Sequence, residues 1–352
     1  MITTAVAGRA WHFSHALGRP TNEHNGKTGG YRHPVDLAVA PDDILFVLSR
    51  GQGIEGGLGH ADFGRIGKTT LDEEHIGDFA RMEFVWPAGI ALAADGRLFV
   101  TDEFRHHVAI LPSDVIYPYP DFNSDGERIG EWGAHGSSAG LLDSPSGIAF
   151  DSDGDIYIVD TGNDRVQKFT IDGEFQLGWG ATGTGDGEFN RPCGITIDPQ
   201  GAVYVADWGN DRVQKFSPDG EYIMSFGGED TDGGDLNHPA NVAVDSDGDV
   251  YVTDWGNNRV QIYEPDGESL AALYGDAVEL SKAGVYIMAR DPETIKAFRR
   301  VKDVSHMGLF ARPVGIEIDA QDRIIICDTC GRLQVYVKDN DFAEPELKLE
   351  LE

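Results

Sequence analysis

Read by its hydrophobic and polar positions, the chain breaks into short runs rich in Val, Ile, Tyr and Phe, punctuated by Gly, Asp, Asn and Pro. Runs this short, bounded by turn residues, are strands rather than helices. The stretch from Arg191 shows the unit. Ile195–Ile197 is a short β-branched run, Pro199-Gln200-Gly201 turns the chain, and Ala202–Asp207 forms a second strand. A longer loop from Trp208 to Asp211 leads to a strand over Val213–Phe216. A turn at Pro218-Asp219-Gly220 then opens an outer strand over Glu221–Phe226.

The unit repeats. RPCGITIDPQGAVYVADWGNDRVQKF from Arg191 matches SPSGIAFDSDGDIYIVDTGNDRVQKF from Ser144 and HPANVAVDSDGDVYVTDWGNNRVQIY from His238, and their prolines Pro145, Pro192 and Pro239 lie 47 residues apart. Weaker copies begin at His33-Pro34, Trp86-Pro87 and Arg312-Pro313, which makes six. One four-stranded sheet cannot bury its own two faces, whereas copies packed around an axis bury each other's. The pattern therefore predicts an all-β fold, a six-bladed β-propeller forming a single domain over residues 1–352. The last copy holds only three strands, ending near Val337, while an orphan strand spans Ala10 to Leu17. That N-terminal strand is expected to complete the last blade, which leaves few open sheet edges. The acidic tail 339–352 is expected to be peripheral.

The successive elements Pro-x-Gly-Ile-Ala, Asp-x-Asp-Gly, Tyr-Val-x-Asp, Asn-x-Arg-Val-Gln-x-Phe and Asp-Gly resemble the NHL repeat, over nearly the whole chain. The resemblance implies the propeller, and for function it implies metal-dependent lyases, lactonase-like hydrolases or pure binding platforms. A similar propeller, peptidyl-α-hydroxyglycine α-amidating lyase, carries zinc-binding histidines directly after its blade prolines. The matching positions here are Val35, Ala88, Ser146, Cys193, Ala240 and Val314, so that zinc set is missing. The next position is Gly in four copies but Asp36 and Asn241 in the others. Asp36 matches a structural calcium ligand of the lyase, so the resemblance implies an oxygen-lined metal site at Asp36 and Asn241. A divalent metal, calcium or zinc, is the cofactor it suggests.

Some repeated residues read as structural. Asp160, Asp207, Asp254 and Asp328 end their second strands, with Arg165, Arg212, Arg259 and Arg332 four or five residues on. Such a carboxylate can accept loop amides and pair with the guanidinium. The Asp-Ser-Asp-Gly-Asp runs at Asp151 and Asp245 resemble calcium loops but recur where a hairpin needs turn chemistry. Asp121 to Gly126 also begins like a calcium loop, yet its twelfth position is Trp132 rather than Glu.

The breaks in the repeat carry the candidate chemistry. In a propeller the blade-to-blade links and the loops between second and third strands emerge at one end. Insertions at Arg19–His33, Arg50–Gly64 and Asp276–Leu309 fall there, on one sector. The third is expected to form a short helix between blades 5 and 6. Asp291 would cap it, Pro292 would open it, and Ile295, Phe298 and Val301 form a stripe opposite Lys296, Arg299, Arg300 and Lys302.

Seven of the eleven histidines, His24, His33, His60, His106, His107, His238 and His306, lie in these links and loops. Imidazoles there shuttle protons or bind zinc. The catalytic candidates are His33, His60, Tyr31 and His238. Trp208 and Trp255, on adjacent blades, form either one wall of a ligand pocket or packing between loops. Arg50, Arg191 and Arg312 can orient a carboxylate.

Charge narrows the partners. A formal net charge of −32, from 60 acidic against 28 basic residues, repels phosphate backbones and anionic bilayers. No nucleic acid and no membrane partner is expected. The N-terminus lacks a basic segment followed by an apolar run, and no stretch of 18 apolar residues occurs. Three cysteines cannot all pair, which agrees with a reducing compartment. A cytoplasmic monomer is expected. Cys327 and Cys330 have redox spacing without the βαβ context that motif needs. The reading is a propeller with a small-molecule site at its channel mouth, a metal-assisted lyase or hydrolase. The alternative is a non-catalytic scaffold that binds a protein or peptide there.

Overall fold

The computed structural model describes residues 3–18, 31, 33–50, 64–80, 83–114, 128–228, 234–277, 281–282, 284–285 and 308–343. Six antiparallel sheets stand around an axis. Their innermost strands are Pro34–Ala40, Pro87–Leu92, Pro145–Phe150, Pro192–Ile197, Pro239–Val244 and Pro313–Ile318. Each packs against the next and the sixth against the first, so the ring is closed. Helix is almost absent: among the described residues there are three one-turn 3-10 segments, Pro41–Asp43, Thr161–Asn163 and Trp208–Asn210. The helix expected from Asp291 lies outside the described residues, as do His24, His60, His306 and the Asp121 loop.

Burial explains the composition of the second strands. Ile156–Asp160, Val203–Asp207 and Val250–Asp254 are buried at every position. Such strands have a blade on either side, so ahead of the terminal aspartate they are mostly β-branched or aromatic instead of alternating. Each large apolar side chain removed from water contributes about 1.5–3 kcal/mol.

Their terminal aspartates hold the loops, as the repeat predicts. Asp207 accepts the Asn190 amide at 2.8 Å through one oxygen and Arg212 Nε at 2.9 Å, Asn210 Nδ2 at 2.9 Å and Gln214 Nε2 at 3.1 Å through the other. Asp160 makes the same set with the Asp143 amide, Arg165, Asn163 and Gln167. Asp254 pairs with Arg259 at 2.7 Å and Asp328 with Arg332 at 3.2 Å. Blade 1 departs, with Ser49 at this position and Arg65 facing Asp78 at 3.4 Å.

The sixth sheet joins the two ends of the chain. Its order is Thr3–Val6, Arg9–Gly18, Arg332–Asp339, Arg323–Asp328, Pro313–Ile318, and Arg9–Gly18 runs antiparallel to Arg332–Asp339. The seam to blade 5 combines an apolar cluster around Trp11, Tyr251 and Ile324 with an ionic group. Lys338 Nζ lies 2.7 Å from Asp245, 2.8 Å from Asp247 and 2.9 Å from Asp249, and Arg9 reaches Asp249 at 2.7 Å and Glu264 at 2.6 Å. The Asp245 run thus has an ammonium at its centre. Burial alone would lower the Lys338 pKa, but hydrogen bonds to the three carboxylates raise it above its ordinary value.

Candidate ligand site at the channel mouth

The end where the innermost strands begin carries two sets of six side chains. The residue before each blade proline is His33, Trp86, Ser144, Arg191, His238 or Arg312. The residue after each second strand is Arg50, Glu103, Thr161, Trp208, Trp255 or Thr329. Each blade proline pairs with the end of its second strand, for example Pro192 with Asp207, which places both sets at one level above the strand ends. Five of the pre-proline residues have positive φ, between 46° and 56°. That strained turn is held by the preceding blade. The amides of Ser144, Arg191, His238 and Arg312 donate to His106, Asp164, Asp211 and Asn258.

Blades 4 to 6 assemble an aromatic and cationic group. The Trp208 and Trp255 rings are 5.1 Å apart, His238 lies 4.9 Å from Trp208, and the Arg312 guanidinium sits 4.4 Å over Trp255. Both indoles are half-buried and Arg312 is exposed. His238 Nδ1 meets Asn237 Oδ1 at 2.5 Å, with Asp211 at 3.6 Å. Two oxygens facing Nδ1 place the ring proton there and leave Nε2 as the basic nitrogen.

Blades 1 and 2 contribute a second group. Arg50 donates to Pro87 O at 2.8 Å and Glu103 at 2.7 Å, and stacks 5.0 Å from Trp86. Burial raises the Glu103 pKa, while the charges of Arg50 and, from blade 4, Arg191 pull it back. Arg50 and Arg191 therefore face a common carboxylate across the mouth. His33 is exposed beside them, its carbonyl accepting the Arg50 amide at 3.0 Å.

Below the mouth the lumen narrows. A β-carbon on Gly315 would come within 2.8 Å of Asp36 Cα, so blade 6 needs glycine there. Asn241 reaches past it to donate to Asp36 at 3.1 Å, and the other Asp36 oxygen accepts the Ile90 amide at 3.0 Å. Burial pushes the Asp36 carboxyl up to about 7. Farther down, Glu317 is pushed up to about 8 by burial and by the charges of Asp36 and Asp319. Glu317 lines a cavity of about 380 Å³ at the far end, with Thr196, Ala243 and Asp198. Cys193 is pushed up to about 12 by burial, so it stays a thiol at neutral pH.

Of the residues singled out from sequence, His238, Trp208, Trp255 and Arg312 meet, and Arg50 and Arg191 converge on Glu103. Tyr31 is elsewhere: it is 7% exposed and packs with Leu17, Leu37 and Leu333 in the seam between blades 6 and 1. Asp36 and Asn241 touch, but through an amide NH2 facing a carboxylate oxygen, and both Asp36 oxygens already accept N–H groups. As arranged they form a hydrogen-bonded strut and do not fit a calcium cage. Cys327 is buried and Cys330 exposed, both free. Trp86, Glu103, Glu317, His135 and Asp143 were missed. Trp86 and Glu103 were legible from their repeat positions alone.

Residues 134–227 match the family described as the SMP-30/gluconolactonase/LRE-like region, and residues 236–263 match the NHL repeat. No curated protein matches the chain in sequence. Virginiamycin B lyase from Staphylococcus aureus, catalytically inactive and with quinupristin, is 14% identical with a TM-score of 0.54, over 93% of this chain and 99% of that one. A protein of unknown function from Bacteroides thetaiotaomicron is 17% identical with a TM-score of 0.61, over 94% and 76%. An auxiliary nutrient binding protein from Bacteroides ovatus is 12% identical with a TM-score of 0.59, over 94% and 77%. At these identities the likeness is one of fold. The closed ring, the two family matches and these neighbours agree that the chain is a six-bladed β-propeller, with an SMP-30/gluconolactonase/LRE-like region over 134–227 and an NHL repeat over 236–263.

Proposed function

We propose that this propeller binds a small, flat, carboxylate-bearing molecule at the channel mouth and acts on it as a lyase or hydrolase, with His238 as the proton-transfer group. The observation that carries the reading is the group of Trp208, Trp255, His238 and Arg312. Two half-exposed indoles offer an apolar wall, a guanidinium stacked on one of them offers a fork for a carboxylate, and an imidazole oriented through Nδ1 offers a base. Arginine at three mouth positions also gives a locally cationic site on a chain of charge −32. Such contrast draws anions to one place. The fold itself does not choose between chemistry and binding, since its neighbours include a lyase and a nutrient binding protein.

The test is calorimetric titration with a panel of aromatic carboxylates and their uncharged amide analogues. Arg312→Ala and Trp255→Ala should each weaken carboxylate binding about tenfold or more, close to 1.4 kcal/mol, with the amides already weak. His238→Gln should abolish turnover while leaving affinity within about threefold. Equal affinity for acids and amides would remove the reading.

One observation favours the second reading, a platform for an apolar peptide. On blade 2, Val85, Trp86 and Phe104 are 43%, 46% and 69% exposed. They adjoin one another because the amides of all three donate to Asp102. Phe104→Ser would weaken a peptide partner and leave carboxylate binding unchanged.

A further inference from the structure

Outside the mouth, the corner between blades 2 and 3 holds a second constellation. His106 belongs to the loop after the second strand of blade 2, and His135 and Asp143 belong to the link into blade 3. His106 Nδ1 lies 3.3 Å from Asp143 Oδ1, His135 Nε2 lies 3.7 Å from the same oxygen, and all three ligand atoms fall within 4.8 Å of one another. The imidazole rings are 4.2 Å apart. Donors sharing one tetrahedral zinc at about 2.0–2.1 Å are separated by roughly 3.3 Å. The His106–Asp143 pair already has that spacing, and the other separations, up to 4.8 Å, close to it by small side-chain rotations.

The next corner shows what these positions hold when they only maintain the fold. In the repeat register, His106, His135 and Asp143 correspond to Asp164, Thr182 and Asn190. There, Thr182 donates to Asp164 at 2.6 Å, Asp164 accepts the Arg191 amide at 2.7 Å, and the Asn190 amide goes to Asp207. The backbone latch is the same at both corners, since Ser144 N donates to His106 Nδ1 at 2.9 Å and Asp143 N to Asp160. The latch therefore does not require histidine. All three positions differ together, and each carries a residue that can ligate a borderline divalent ion.

We propose that His106, His135 and Asp143 bind one zinc ion, or a comparable late first-row divalent ion, at the outer rim of the mouth end. Two imidazoles select such an ion over calcium or magnesium, which prefer all-oxygen cages. Three protein ligands leave the fourth tetrahedral position for water or an anionic ligand. Binding exchanges the Ser144 N–H bond on His106 Nδ1 for the metal, and the ion replaces an imidazole–carboxylate pairing that otherwise fills the corner. This site is independent of the ligand reading at the indoles.

The experiment is titration of metal-stripped full-length protein with zinc chloride by calorimetry, and with cobalt(II) to read the tetrahedral visible bands. His135→Thr and Asp143→Asn supply the residues of the neighbouring corner, which the same backbone accommodates. The expected result is that each variant unfolds as the parent does yet binds zinc at least about tenfold more weakly and loses the cobalt bands, while excess calcium displaces nothing. A parent that shows no cobalt bands, or variants that bind zinc with the parent's stoichiometry and affinity, would overturn the proposal.

Discussion

The two ends of the ring obey different rules. At the end away from the mouth, the hairpin after the innermost strand carries the same residue in four blades: Asp151, Asp198, Asp245 and Asp319. Each accepts the amides two and four residues ahead through one oxygen, for instance Asp198 from Gln200 at 3.0 Å and Ala202 at 2.8 Å. The other oxygen meets a cation, Lys168, Lys215, Lys338 or Arg323. Turn geometry dictates the residue, so it repeats. At the mouth the backbone latch is equally regular, yet the side chains projecting from it are His, Trp, Ser, Arg, His and Arg. Residues repeated in register hold the ring, and residues that differ in register are released from that demand.

This contrast breaks first where the hairpin end is most buried. The side chains of Lys338 and of two of its three carboxylates are almost fully enclosed, that of Lys338 being 2% exposed. Lys338→Met leaves the buried Asp245 without its cation, while Asp249 keeps Arg9, so denaturant unfolding should show a loss of about 3–5 kcal/mol. Carboxylate binding at the mouth should stay unchanged in the surviving folded protein. A loss below about 1 kcal/mol would mean the acids find other partners.

Adjacent residues sharpen the comparison. Asp207→Ala removes the acceptor that Arg212, Asn210, Gln214 and the Asn190 amide share and should cost about 1–3 kcal/mol. Trp208→Ala, one residue on and half-buried, should cost less than about 1 kcal/mol in the same unfolding assay and act on ligand affinity instead.

The smallest effect concerns the lumen. Glu317 has a folded pKa of about 8 against an ordinary 4.5, so the folded state holds its proton more tightly than the unfolded chain does. Its stabilising contribution is full below the unfolded value and is lost as pH rises through the folded one. Thermal unfolding of Glu317→Gln should therefore show a shallower fall in Tm between about pH 5 and pH 8 than the parent shows. An identical pH profile would mean that the carboxyl is solvated.

Legibility followed the same division. The Asp160, Asp207 and Asp254 sets could be read from sequence because each partner lies at a fixed local offset. The mouth residues could be placed at one end because the register fixes which loops emerge there. Tyr31 could not be placed: it sits in a non-repeating segment, and only the packing of Leu17, Leu37 and Leu333 around it shows that it is core. Nor could Asp143 be paired with His135 and His106, since its repeat position holds Asn in the next two copies, Asn190 and Asn237, and His106 comes from a different loop.

The sequence by itself determined the number of blades, the strands within them and the aspartate–arginine sets, because periodic burial and turn chemistry act over a few residues. Only the tertiary structure decided which loops touch. The stacking of Arg312 on Trp255, the convergence of Arg50 and Arg191 on Glu103 and the His106, His135 and Asp143 corner all join different blades. Their distances depend on how closely the blades pack around the axis, a property of the closed ring that no local pattern encodes.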